Sequence, residues 1–232
     1  IANTAGVLDE SVADHTFGLL LAASRRVCEG DRMIRAGAWS GWALDQLLGR
    51  DLRGATLGLV GFGGIAQAVA RRARGFDMRV LYTARHRHPA AQEERLGVTY
   101  RPFADLLRES DLVSLHVPLT AETRHLLGPS ELALLKPTAI VVNTSRGPVL
   151  DESALVEALG AGRLWAAGLD VFEHEPAVPA ALVQSERVVL TPHVGSGTIQ
   201  TRSGMCVAAV RNVLAVLEGR SPPNPVNPEV LS

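Results

Sequence analysis

One short stretch constrains this chain more than any other: Leu57-Gly58-Leu59-Val60 runs straight into Gly61-Phe62-Gly63-Gly64-Ile65-Ala66. It is a G-x-G-x-x-A turn between an apolar run, Thr56–Val60, and a helical segment, Gly64–Arg74. Gly61 permits a tight turn, Gly63 lets a ligand approach the backbone, and Ala66 is small enough for close helix–strand packing. A helix N-terminus at this point offers unpaired N–H groups and a partial positive charge to phosphates. Glycine-rich turns also serve simply as turns. Here the strand before and the helix after supply the context of a dinucleotide site, with Gly61, Gly63, Gly64 and Ile65 as candidate cofactor residues.

The remainder of the chain repeats that alternation. Apolar runs at Arg79–Thr83, Leu112–Val117, Ala139–Val142, Trp165–Leu169 and Val188–Leu190 are interleaved with helical candidates such as Phe103–Glu109 and Glu152–Leu159. Short apolar strands alternating with helices predict an α/β fold, a doubly wound parallel sheet of the Rossmann type, covered on both faces. Ahead of it, a helix is expected from about Ser11 to Val27, with Asp9 and Ser11 as capping side chains. Its apolar residues are not confined to one stripe, which points to burial on more than one side and to a subunit interface in a homodimer. A final amphipathic helix is expected to present Val207, Val210, Leu214 and Leu217 on one face, with Gly219 as its C-cap. Beyond it Pro222, Pro223, Pro225 and Pro228 exclude regular structure.

With 232 residues and a formal net charge of -1, the chain can bury a sizeable core and lacks the basic balance of a nucleic-acid-binding surface. The apolar run Phe17–Ala23 is far too short to cross a bilayer. Cys28 and Cys206 lie far apart with no metal-ligand cluster around them, and read as buried thiols in a reducing compartment. A cytoplasmic protein is the expectation. The chain opens on Ile1 and enters a helix within twenty residues, which reads as part of a longer polypeptide.

The end of the second apolar run bears on cofactor choice. An NAD site usually places a carboxylate about 20 positions beyond the glycine turn, for the ribose 2′-hydroxyl. The segment Tyr82-Thr83-Ala84-Arg85-His86-Arg87-His88 has none, and Arg85 and Arg87 can pair with a 2′-phosphate or stand as solvated surface charges. NADP is therefore the favoured cofactor, with NAD as the alternative. His86 and His88 have no further ligands nearby, so no metal is expected.

Three candidates for chemistry lie just past strand ends, where open α/β sheets place their ligands: Arg146, Glu175 and His193. Reducing a 2-keto acid needs a hydride donor, a proton donor at the carbonyl oxygen and a cation for the carboxylate. Histidine suits the proton role, a carboxylate beside it fixes its tautomer, and arginine matches a carboxylate with a planar fork. Taken singly, Arg146 could hold a loop, Glu175 could be solvated and His193 could be a core histidine.

Taken together, in order and spacing, the stretches around Gly61, Arg146, Glu175 and His193 resemble the D-isomer-specific 2-hydroxyacid dehydrogenase family over essentially the whole chain. The resemblance implies that Arg146 orients substrate, His193 is the general acid/base and Glu175 is its partner. It implies too that Asp170 contacts the nicotinamide carboxamide, and that Thr83, Val117, Pro118, Thr144 and Gly195 contribute to the cofactor cleft. Tyr82-Thr83-Ala84-Arg85 is similar to the glyoxylate/hydroxypyruvate reductases, which often prefer NADPH. Two departures accompany it. Position 64 is glycine where many relatives carry arginine. The resemblance also begins only at the crossover helix, so residues 1–198 are expected to form the dinucleotide-binding domain and 199–232 to return to a substrate domain whose N-terminal part is absent from this sequence. Rival readings are a corepressor-like NAD(P)(H)-binding protein and a phosphite or formate dehydrogenase on the same scaffold.

Overall fold

The computed structural model describes residues 1–227 and Glu229; Pro228 lies outside the described residues. The glycine turn falls where the pattern predicts. Strand β1 (Thr56–Val60) leads through it into helix α3 (Gly64–Arg74), and the chain continues β2 (Arg79–Thr83), α4 (Ala90–Leu96), β3 (Val98–Tyr100), α5 (Phe103–Glu109), β4 (Leu112–Leu115). It then runs through α6 (Pro129–Leu132), β5 (Ile140–Asn143), α7 (Glu152–Gly160), β6 (Ala166–Leu169), α8 (Ala180–Gln184), β7 (Val188–Leu190) and α9 (Ile199–Leu217). The seven strands form one parallel sheet in the order β3-β2-β1-β4-β5-β6-β7. Strand order reverses between β1 and β4, which opens a crevice at their C-terminal ends.

Period-2 alternation splits the strands' side chains between two cores. Leu57, Leu59, Tyr82, Ile140 and Val142 pack on one face, while Leu81, Val113, Leu115, Val141 and Leu169 pack on the other. The first face is covered by α3 and by α1 (Asp9–Ser24), the second by α5, α7 and their neighbours.

Several expectations are corrected here. The single helix expected to Val27 is two, α1 and α2 (Val27–Arg35), separated by Arg26 with φ of 55°. Neither Asp9 nor Ser11 caps α1: Leu8 is its N-cap, without a side-chain bond, and Asp9 lies in its first turn. The apolar circumference of α1 is covered within the chain, by α3 on one side and by β5, β6 and β7 on the other, so its burial requires no second subunit. The amphipathic face of α9 is exposed, with Val210 at 56% and Leu217 at 78%, and only Asn212 and Ala215 on this helix are buried. Gly219 stands just past the end of α9 at φ 72°, the left-handed terminating position expected of it. Cys28 is half-buried and Cys206 exposed, rather than both buried. In the proline-rich tail Pro225 forms an antiparallel bridge with Ala2. Asn212 Nδ2 donates to the Asn3 carbonyl, so the first residues associate with α9 and the tail. Among the described residues no helix is long and apolar enough to cross a membrane.

Candidate active site

The loops after β1, β4, β5, β6 and β7 converge at the crevice. Gly61 has φ of 90°, and a Cβ there would lie 2.7 Å from the His116 carbonyl oxygen. Only glycine lets the turn pass so close to the loop after β4. Two adjoining clefts share Val117 and Pro118 in their walls. One, of about 410 Å³, is lined by Gly61, Thr83, Arg85 and Phe103, the other, of about 560 Å³, by Ile65, Thr144, Arg146, Asp170, His193 and Gly195. Each has the size of a ligand pocket.

Both clefts suit a dinucleotide. A Cβ on Gly63, the N-cap of α3, would meet nothing within 4 Å, so the approach to the helix N-terminus over it is open, and no side chain caps that terminus. Gly64 differs: a side chain there would collide with the carboxylate of Asp9. The space that an arginine would take at this position belongs to an acid.

The second cleft is built on hydrogen bonds. Arg146 Nη1 donates to the Ser145 carbonyl at 2.6 Å, and Asn143 Nδ2 donates to the Arg146 carbonyl at 2.9 Å, fixing the loop after β5. A Cβ on Gly147 would strike the Phe172–Glu173 backbone, so glycine lets this loop nest against the one after β6. That second loop is pinned to α7 by reciprocal bonds: Glu152 N donates to Glu173 Oε1 at 3.0 Å, and Glu173 N to Glu152 Oε1 at 2.8 Å. Thr16 donates to the Val12 carbonyl at 2.8 Å, so Thr144, 3.1 Å away, is the donor to Thr16.

His193 Nδ1 lies 2.9 Å from Glu175 Oε2. His193 itself has φ of 53°, a left-handed conformation uncommon for a residue with a Cβ, held by its N–H donating to the Asp170 carbonyl at 2.8 Å. Burial pushes the Glu175 carboxyl up, but the His193 ring and the Phe172 amide outweigh it and hold the group below the usual carboxylate range. Asp170, 1% exposed, behaves alike: burial raises it, and bonds from His15, Thr191, Val194 and Gly195 hold it below its ordinary value. His116, half-buried beside Ser114, is pushed down to about 4 by the cost of desolvating its charged form.

At the end of β2 the two arginines part company. Arg87 is engaged by Glu93 through two bonds of 2.8 Å, and Glu93 also accepts from Tyr82 Oη at 2.7 Å. The expectation that Arg87 faces a phosphate is corrected: its guanidinium already has a carboxylate. Arg85 remains in the wall of the first cleft.

Sequence reasoning missed His116, Ser145, Ser196 and Met205 among the residues lining the second cleft, and Ser11, His15 and Thr191, which bond to its Asp170 and Gly195. The signal was present on α1, where Ser11 and His15, four residues apart, interrupt an apolar helix on one face. Among the described residues no cluster of histidine, cysteine and acidic side chains could hold a metal ion.

Comparison with known proteins gives a consistent result. The family described as D-isomer specific 2-hydroxyacid dehydrogenase, NAD binding domain, matches residues 17–195. A glyoxylate reductase of Thermococcus litoralis is 50% identical over 236 residues, covering 100% of this chain and 71% of the relative. A solved protein from Thermus thermophilus superposes with a TM-score of 0.91 at 50% identity, covering 97% of this chain and 70% of that one. A glyoxylate reductase from Paecilomyes thermophila gives 0.92 at 38% identity, covering 99% and 68%.

Proposed function

The chain belongs to the D-isomer specific 2-hydroxyacid dehydrogenase family and is a hydroxyacid oxidoreductase using a nicotinamide dinucleotide; from that membership we propose that it reduces glyoxylate, hydroxypyruvate or a similarly short 2-keto acid with NADPH. The observation that carries this reading is the His193–Glu175 pair, 2.9 Å apart, opening on the cleft that Arg146 and Asp170 also line. The cofactor supplies the hydride when bound. Arg146 pairs with the substrate carboxylate, which orients the keto carbon towards the nicotinamide end of the cleft. His193 gives its Nε2 proton to the carbonyl oxygen as charge develops there. Glu175, accepting from Nδ1, holds the ring's orientation and its tautomer.

Preference for NADPH rests on Arg85 and on the missing carboxylate at the end of β2, with Thr83 beside it. Gly61, Gly63, Gly64 and Ile65 receive the pyrophosphate side, and Val117, Pro118, Thr144, Asp170 and Gly195 the nicotinamide side. We keep the domain boundary near 198 and assign Ile1–Thr4 to the C-terminal piece, since Ala2 and Asn3 pair with Pro225 and Asn212. A homodimer is part of the same reading, now supported by Trp42 at 81% and Leu44 at 81% exposure in the segment after α2. Light scattering at micromolar concentration tests it, and a monomer would remove it.

The test of function is NADPH oxidation with hydroxypyruvate and with glyoxylate, against an NADH control. Turnover with NADPH well above that with NADH is the expected result. Binding of NADPH without turnover of either acid would overturn the substrate assignment.

A further inference from the structure

Asp170, in the wall of the second cleft, is in contact with a histidine that the reaction just described does not use. His15 Nε2, on α1, is 2.9 Å from Thr191 Oγ1 and 3.2 Å from Asp170 Oδ1. Thr191 has a single hydroxyl proton, and it goes to Asp170 Oδ1 at 2.6 Å. What Thr191 can still offer is a lone pair, so His15 Nε2 must be the donor. The tautomer is thereby fixed with a proton on Nε2.

The two oxygens of Asp170 are then unequal. Oδ1 accepts from Thr191 and from the Val194 amide at 2.9 Å, and the His15 Nε2 proton, given to Thr191, stands 3.2 Å from it. Oδ2 accepts from the Gly195 amide alone, at 2.7 Å. A carboxylate has about two acceptor sites per oxygen, so Oδ1 is saturated and Oδ2 retains one. Ser11, one turn before His15 on the same face, donates to the Gly195 carbonyl at 2.9 Å and so steadies the residue whose amide occupies the other site on Oδ2.

We propose that His15 is a positioning residue for the cofactor: by donating to Thr191 Oγ1 it turns the Thr191 hydroxyl onto Asp170 Oδ1, which with the Val194 amide fills that oxygen and leaves Oδ2 as the acceptor for the carboxamide N–H of the nicotinamide. The proposal rests on the reading of Asp170 as the carboxamide contact. His15 touches no reacting atom. It sets which oxygen is free and the plane in which that oxygen lies.

A cofactor analogue isolates this role. In NADPH the carboxamide donates; in the reduced 3-acetylpyridine analogue of the same dinucleotide a methyl ketone replaces it and nothing can donate. Equilibrium dissociation constants for both are measured by protein fluorescence for the unaltered chain, His15→Leu, His15→Gln and Asp170→Asn, with Tm recorded for each. His15→Leu should weaken NADPH by about three- to ten-fold, the worth of one hydrogen bond, and the analogue by less than about two-fold. His15→Gln, which keeps an N–H donor, should restore most of the NADPH affinity. Equal losses for the two cofactors, or no loss, would overturn the role of His15. If Asp170→Asn also failed to discriminate between them, the reading of Asp170 itself would fall; if it discriminated while His15→Leu did not, only the present proposal would.

Discussion

His193 and Glu175 meet at 2.9 Å although 18 residues separate them in sequence. Adjacent parallel strands, β6 and β7, deliver the two loops to the same edge of the sheet, and the Asp170 carbonyl holds the His193 backbone in its left-handed turn. The His193 ring and the Phe172 amide hold the Glu175 carboxyl below the usual carboxylate range. Replacing Glu175 by Gln, or His193 by Asn, should lower kcat by about 10²- to 10⁴-fold, the usual worth of a positioned acid/base. The NADPH dissociation constant should change little. Steady-state kinetics beside a binding titration checks this, and parallel losses in kcat and affinity would contradict the acid/base role.

The contrast between Arg85 and Arg87 gives a second expectation. Arg87 is committed to Glu93, whereas Arg85 lines the cleft. Arg85→Ala should therefore raise KM for NADPH by about ten-fold or more while leaving NADH almost unaffected, because a charge-assisted bond to phosphate is lost only with the former. Arg87→Ala should lower Tm without changing the NADPH/NADH ratio. Equal losses of both cofactors in Arg85→Ala would remove the 2′-phosphate role.

Asp9 against Gly64 yields a trade-off. A carboxylate at the N-terminus of α3 favours the helix dipole by about 0.3–1 kcal/mol, and it opposes a phosphate arriving at the same place. Asp9→Asn should cost the cofactor-free protein stability of that order while tightening NADPH binding by about two- to five-fold. The gain should shrink as ionic strength rises and the Debye length shortens. Titrations at about 0.02 and 0.5 M salt decide it; a gain that is the same at both would mean that charge is not the cause.

The parts of this molecule legible from sequence were those fixed by local pattern. The apolar runs that fill the sheet end within two residues of the observed strands, and α3 and α5 coincide with their predicted spans, because each run must be apolar on both faces between covering helices. Strand β3 escaped since three residues, Val98–Tyr100, are too few to show a period, and charged α4 hides its single buried face. What lay beyond reach were side-chain pairings across the fold. Nothing in Arg87 distinguishes it from Arg85 until Glu93, on a different element, is brought alongside. Ser11 read as a capping side chain and His15 carried no reading at all, because their partners Asp170, Thr191 and Gly195 lie past β6 and β7, far off in sequence. The exposed face of α9 shows the converse: an amphipathic pattern states that a face wants cover, and not what covers it.

Glu93 gives the clearest expectation for stability against pH. Two bonds from Arg87 and one from Tyr82 bring its carboxyl down to about 2, against an ordinary value of 4.5, and the same contact joins with burial to push Tyr82 up to about 12. A carboxyl held low in the folded state favours folding wherever it is ionised in both states, that is, above its ordinary value. The contribution is lost as pH falls from there towards about 2, because the unfolded chain takes up the proton first. Glu93→Gln removes this contribution, so the Tm difference between the unaltered chain and the variant should be largest near neutrality. It should narrow steadily between about pH 4.5 and pH 2.5, while other carboxylates lower both melting points together. Calorimetry at several pH values across that window measures the gap. A gap that stays constant would show that Glu93 acts through packing of the turn after β2, and that its charge contributes nothing to stability.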